Sequence, residues 1–98
     1  MKKCKVAVVG AMGTVGQEML KILVQRNFPA EEIRPLGNPE NAGRTVKCGD
    51  RELPVQPTTP EAFRGMDVAL LAVGESISRA LAPQIAKAGC LVIDNSSA

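Results

Sequence analysis

The segment Gly10-Ala11-Met12-Gly13-Thr14-Val15-Gly16 is where residue type and spacing most plainly point to chemistry. Glycines three apart let main-chain N–H groups close on a phosphate. A β-carbon at Gly13 would hold that phosphate away, and Gly16 lets a helix pack tightly on the strand before it. The chemistry on offer is anion binding by backbone amides. Acid–base and nucleophilic catalysis have little to work with: the chain has no histidine, so neither a Ser-His-Asp nor a Cys-His arrangement can be built from it. Cys4, Cys48 and Cys90 are widely separated and form no C-x-x-C pair, which gives neither a disulfide framework nor a zinc site. No catalytic residue and no metal ligand is therefore expected.

The elements that must position this loop follow from the apolar pattern. Lys5 to Val9 is a valine-rich strand closed by Gly10. From Thr14 to Arg26, Val15, Met19, Ile22 and Leu23 fall on one helical face, with Asn27 and Pro29 ending the helix. Ile33 to Leu36 is a weaker strand, and Pro35 confines it to an edge or to pairing mainly on one side. Thr45 to Gln56 forms a small antiparallel hairpin about Cys48-Gly49-Asp50. Thr58 or Thr59 caps a short helix with Pro60 in its first turn and Glu61 complementing the dipole. Asp67 to Val73 is a strand closed by Gly74. Ser76 caps a helix through Ile77, Leu81 and Ile85 to Ala88 with Gly89 at its end, and Pro83 kinks or divides it. Cys90 to Ile93 is a last strand. Short buried strands alternating with helices make one doubly wound α/β domain over residues 1–98. With a strand before it and a helix after it, the glycine loop indicates dinucleotide binding.

Composition narrows the classes further. Ninety-eight residues, 45% hydrophobic and 22% charged, suit a single core. A net charge of +2 and only two aromatic residues, Phe28 and Phe63, leave nothing for a nucleic acid to stack on or be steered by, so no nucleic-acid partner is expected. No run approaches the roughly 20 apolar residues of a membrane span. Lys2 and Lys3 precede an apolar stretch too short for a signal peptide. Free cysteines and no targeting segment together place the chain in the cytoplasm.

Four segments carry a family resemblance: VAVVGAMGTVGQEML, NFPAEEIRPLG, the Asn41-Ala42-Gly43-Arg44 loop and VIDNSSA. Together they resemble the N-terminal cofactor domain of aspartate-semialdehyde dehydrogenases over essentially the whole chain. Asp94-Asn95-Ser96-Ser97-Ala98 is the most specific piece, since the related acetylglutamyl-phosphate reductases usually differ there. The resemblance implies a Rossmann-like, mostly parallel sheet and an NADP-dependent enzyme that reductively dephosphorylates aspartyl 4-phosphate through a cysteine thioester. It also implies a homodimer or homotetramer. It places the cofactor against Gly10, Met12, Gly13, Thr14, Val15 and Gly16, with Asn38, Glu40 and Asn41 toward the adenosine. Ala72, Val73 and Gly74 fall on the nicotinamide side, and Asn95 lies near the nicotinamide or substrate, or else caps the next element.

Departures from the family qualify this expectation. The family's nucleophilic cysteine, histidine base and substrate arginines lie beyond the matching region, and Cys4, Cys48 and Cys90 occupy none of those places. The catalytic and dimerisation domain is expected to be absent from this chain. The expected partners are thus the dinucleotide and either further copies or a missing catalytic half. Glu40 stands where the family has an arginine for the 2'-phosphate of NADP. A carboxylate there repels that phosphate and accepts a hydrogen bond from the 2'-hydroxyl of NAD; alternatively Glu40 is a solvated loop charge, and Arg44 could still reach a phosphate. Met12 replaces a threonine, either covering the pyrophosphate or packing beneath the loop. The cofactor is NADP or NAD, with NAD favoured if Glu40 faces the ribose. A reading from another class is a stand-alone nucleotide-binding module or inactive remnant of the family.

Overall fold

The computed structural model describes residues 4–26 and 30–94, without the side chain of Asp94. Its centre is strand β1 (Cys4–Val9). Val6, Ala7, Val8 and Val9 are all at most 2% exposed, because a central parallel strand is covered on both faces and every position along it must be apolar. Helix α1 (Thr14–Gln25) leads to β2 (Ala30–Gly37), then a 3-10 turn at Pro39–Asn41. The hairpin strands β3 (Thr45–Cys48) and β4 (Arg51–Pro54) follow, then the two-residue strand β5 (Gln56–Pro57) and a second 3-10 turn at Pro60–Phe63. Strand β6 (Val68–Leu71), helix α2 (Glu75–Lys87) and strand β7 (Leu91–Asp94) complete the chain order.

The main sheet runs β5-β2-β1-β6-β7, parallel throughout, and the hairpin forms its own two-stranded sheet. The expected doubly wound α/β architecture with a small antiparallel hairpin is what the chain forms. Side chains alternate along β1 between two cores. Val6 and Val8 join Leu20 of α1 and Val46, Cys48 and Val55 from the hairpin and the residue after it. Ala7 and Val9 join Phe63, Leu71 and Ile85 on the α2 side. Arg34 ties β2 to the second 3-10 turn by donating from Nη1 to the Ala62 carbonyl at 2.9 Å, while its Nε donates to Glu32 at 3.0 Å.

Several local expectations are corrected. Val15 and Ile22 are not on the inward face of α1; they are 47% and 49% exposed, and Gly16 and Leu20 are buried instead. The reason is that Gly16 brings the helix against the glycine loop, rotating Leu20, Met19 and Leu23 toward the sheet. Ser76 is not the cap of α2: Gly74 is, in extended conformation, so the helix starts earlier. Pro83 does not divide α2, since it sits on the exposed side, where water can satisfy the carbonyl its missing N–H leaves free. Gln56 leaves the hairpin and pairs in parallel with Leu36 of β2. The element after Thr59 is a 3-10 turn, and Thr59 is its cap, accepting from the Ala62 N–H at 3.3 Å. Pairing of β2 is mainly one-sided as Pro35 required, with β1 along its length and with β5 only at Leu36 and Gly37. Asn27 and Pro29, expected to end α1, lie outside the described residues.

Candidate dinucleotide site

In an open parallel sheet the loops at the carboxyl ends of the strands surround a crevice where chain order reverses. Here that point is the carboxyl end of β1, whose neighbours β2 and β6 connect in opposite directions. A cleft of about 430 Å³ lies there. The glycine loop supplies Gly10, Met12 and Gly13, the segment after β2 supplies Asn38, Pro39 and Asn41, and the end of β6 supplies Ala72, Val73 and Gly74.

Three glycines of the loop serve different purposes. Gly10 has φ +81°, and a β-carbon on it would lie 2.5 Å from the Ala72 carbonyl oxygen. Its N–H and that of Ala11 both donate to the Leu36 carbonyl, at 2.9 and 3.1 Å, so the loop is fastened across the sheet. Gly16 is required by packing, since its β-carbon would fall 2.1 Å from the Gly10 carbonyl oxygen. Gly13 is different. Its φ is −77°, and an added β-carbon would meet only the Gly10 oxygen at 3.5 Å, an ordinary contact. Among the described residues nothing demands glycine at position 13, and the space beside it is open.

Gly13 is also the N-cap of α1, with no side-chain cap and no acidic residue in the first turn. The free N–H groups and positive end of the helix dipole there favour an anion. Gly74 repeats part of the pattern: it caps α2 without a side-chain bond, and a β-carbon on it would meet nothing within 4 Å, but Glu75 stands in the first turn of α2 and already complements that helix dipole. Two uncapped helix starts converge on one cleft. A dinucleotide fits this arrangement in shape, with the start of α1 at one end of the cleft and apolar walls at Met12, Ile77 and Leu81, while the Gly13 N–H itself donates to the Gly10 carbonyl at 3.1 Å. No residue lining the cleft has a titratable side chain, so what the described residues offer there is binding.

Of the residues singled out from sequence, Gly10, Met12, Gly13, Asn38, Asn41, Ala72, Val73 and Gly74 line the cleft. Thr14, Val15 and Gly16 lie in the first turn of α1 behind it, Thr14 and Val15 exposed and Gly16 buried. Glu40 is exposed in the 3-10 turn, between the lining residues Pro39 and Asn41. Asn95 lies outside the described residues. Met12 both lines the cleft and packs on the α1-side core, while its carbonyl accepts from Gln17 at 2.8 Å. Sequence reasoning missed Pro39, Thr58, Ile77 and Leu81 as lining residues. Ile77 and Leu81 enter the sequence reading only as positions along the helix, and their place in the first turns after a strand-ending glycine is the one signal that points to the cleft.

The cysteines stay away from the cleft. Cys90 is buried, its Sγ donating to the carbonyls of Met66 at 3.0 Å and Phe63 at 3.3 Å. Burial, and after it the Asp67 carboxylate, push its thiol up; burial pushes Cys48 up, partly offset by Arg51. Raised thiols are poor nucleophiles.

A parallel α/β sheet with a glycine loop opening its first helix defines a dinucleotide-binding domain. The model for the semialdehyde dehydrogenase NAD-binding domain matches residues 5–98, and the chain belongs to that family. An aspartate-semialdehyde dehydrogenase from Bacillus subtilis is 50% identical over 93 residues, covering 95% of this chain and 27% of that protein. The structure of aspartate semialdehyde dehydrogenase II from Vibrio cholerae, complexed with ASA, superposes with a TM-score of 0.85 at 33% identity, covering 96% of this chain and 31% of that one. That of a probable aspartate-semialdehyde dehydrogenase from Pseudomonas aeruginosa gives 0.87 at 33% identity, covering 98% and 29%. The chain thus spans under a third of the length of these relatives. No helix among the described residues is long and apolar enough to cross a membrane.

Proposed function

We propose that this chain is the cofactor-binding part of an NAD(P)-dependent aspartate-semialdehyde dehydrogenase acting in the cytoplasm, with the catalytic thiol and base supplied by another part of the protein. The observation that carries this reading is the cleft itself, where among the described residues a β-carbon on Gly13 would meet only the Gly10 oxygen at 3.5 Å and one on Gly74 nothing within 4 Å. The bound nicotinamide would supply hydride chemistry. The role of this chain is to hold and orient it: the Gly10–Gly16 loop against the pyrophosphate, with the first-turn amides of α1 as donors because those of Gly10, Ala11 and Gly13 are bonded within the protein, Asn38, Glu40 and Asn41 toward the adenosine ribose, and Ala72, Val73, Gly74 and Asn95 toward the nicotinamide. Glu40 favours NAD over NADP. The full protein works as a homo-oligomer or through association of this part with its catalytic half.

Titration calorimetry of the chain with NAD and NADP tests the binding reading: one-site binding of at least one nucleotide is expected, and no binding of either at millimolar concentration would refute it. The same preparation should show no turnover of aspartate semialdehyde with phosphate and either nucleotide. Turnover lost on Cys48→Ser or Cys90→Ser would overturn the assignment of the thiol to another part.

A further inference from the structure

Sulfur is the only readily oxidised side-chain chemistry in this protein, whose sequence holds no tryptophan, tyrosine or histidine. The sulfurs are unequally placed. Met66, Cys48 and Cys90 are buried, at 4%, 6% and 6% exposed. Cys4 and Met19 are partly buried against the α1-side core and line no part of the cofactor cleft. Met12 is partly exposed, and among the described residues it is the one sulfur-bearing side chain that lines the cleft. A hydroperoxide that enters this space of about 430 Å³ reaches Met12 without any part of the fold opening.

The main chain on both sides of Met12 is tied down. Its carbonyl accepts from Gln17 Nε2 at 2.8 Å. The Gly10 and Ala11 N–H groups donate to the Leu36 carbonyl at 2.9 and 3.1 Å, and that of Gly13 donates to the Gly10 carbonyl at 3.1 Å. The side chain packs against the α1-side core while it walls the cleft. A change in the polarity of this sulfur is therefore felt in the cleft and is not relieved by movement of the loop.

We propose that Met12 is a site of oxidation by hydroperoxides, that its sulfoxide weakens dinucleotide binding, and that bound dinucleotide shields it. A lone pair of the thioether attacks one oxygen of hydrogen peroxide. The S–O bond forms as the O–O bond breaks, and the departing hydroxide takes the proton from the transferred oxygen, leaving sulfoxide and water. The sulfur is oxidised by the electron pair that the peroxide gains. Methionine sulfoxide is polar and chiral, and sulfoxide reductases specific for each epimer return it to the thioether. On an apolar wall its oxygen is an acceptor without a donor, and beside a pyrophosphate it opposes oxygens that also only accept. The effect on binding rests on the cofactor reading of the cleft, whereas the selectivity of oxidation rests on the placement of the sulfurs alone.

The test is treatment of the protein with hydrogen peroxide, with and without saturating NAD or NADP, followed by peptide mass spectrometry at Met12, Met19 and Met66. Met12 should oxidise about tenfold or more faster than buried Met66, and nucleotide should slow Met12 while leaving Met19 within about twofold. Calorimetric titration of the oxidised protein should show nucleotide bound about tenfold more weakly, as expected for one unsatisfied polar group. The reductases with a thiol reductant should restore the affinity. Met12→Leu is its own reference: peroxide should change its affinity less than about twofold, since leucine has no sulfur to oxidise. Oxidation of Met12 no faster than of Met66, or an equal loss of affinity in peroxide-treated Met12→Leu, would overturn the proposal. Loss of the cooperative melt on oxidation would also overturn it, by making unfolding the cause. No binding of either nucleotide by the untreated protein refutes the cofactor reading and this proposal with it, whereas undiminished binding by the sulfoxide form refutes this proposal only.

Discussion

Replacing Gly13 and Gly16 separately by alanine should divide ligand binding from folding within three residues of one another. A β-carbon at position 16 would lie 2.1 Å from the Gly10 oxygen and 2.8 Å from the Ala11 Cα. Both groups are backbone, held by the bonds to Leu36, so α1 must shift bodily. Overpacking of this kind costs about 1–3 kcal/mol, and at roughly 4–8 °C per kcal/mol for a domain of this size the melting temperature should fall by about 10 °C. At position 13 the same methyl meets one atom at 3.5 Å. Its small N-cap cost is offset by the reduced freedom of the unfolded chain, about 0.4–1 kcal/mol, so the melting temperature should hardly move. Binding should suffer instead. The methyl occupies the approach to the α1 amides, and losing one charge-assisted bond to a phosphate costs about 1.5–3 kcal/mol, a weakening of roughly ten- to a hundredfold. Circular dichroism melts and calorimetric titrations of both variants read the two quantities. A Gly13→Ala protein that binds NAD and NADP like the wild type would refute the reasoning, as would a Gly16→Ala protein of undiminished stability.

Phe63, the largest fully buried side chain among the described residues, anchors the α2-side core; Phe63→Ala should cost about 3–5 kcal/mol, seen as a marked loss in urea midpoint. Raised thiols at Cys48 and Cys90 favour the folded state fully below the ordinary unfolded thiol value near 8.5 and lose that contribution as pH climbs through the higher folded values. Melts should therefore be flat from pH 7 to about 8.5 and then decline, less steeply for Cys90→Ala; an identical slope in that variant would count against burial as the cause. Wild type should prefer NAD to NADP tenfold or more at low salt, with the order reversed by Glu40→Arg and the preference shrinking as salt screens it. Equal affinities in wild type, or an NADP constant that responds to Arg44→Ala and not to Glu40→Arg, would show that Glu40 points to solvent.

What could be read from the sequence and what could not differ in range. The glycine loop was legible because its demands are local: Gly10 must take a positive φ, Gly16 must let a helix touch a strand, and both show as residue type. The face of α1 was not. Val15, Met19, Leu20, Ile22, Leu23 and Val24 ring most of the helix, so a 3.6-residue period fits more than one orientation. The choice is made by Gly16, which contributes no hydrophobicity and yet is the point of closest approach. Strand β5 had no local signal either. A two-residue Gln-Pro strand exists only because Thr58 reaches back, its N–H and its hydroxyl both donating to the Gly37 carbonyl at 3.0 Å. The cleft inherits this division. Its end beside α1 is made of loop backbone and was legible, whereas Thr58, Ile77 and Leu81 arrive from other segments.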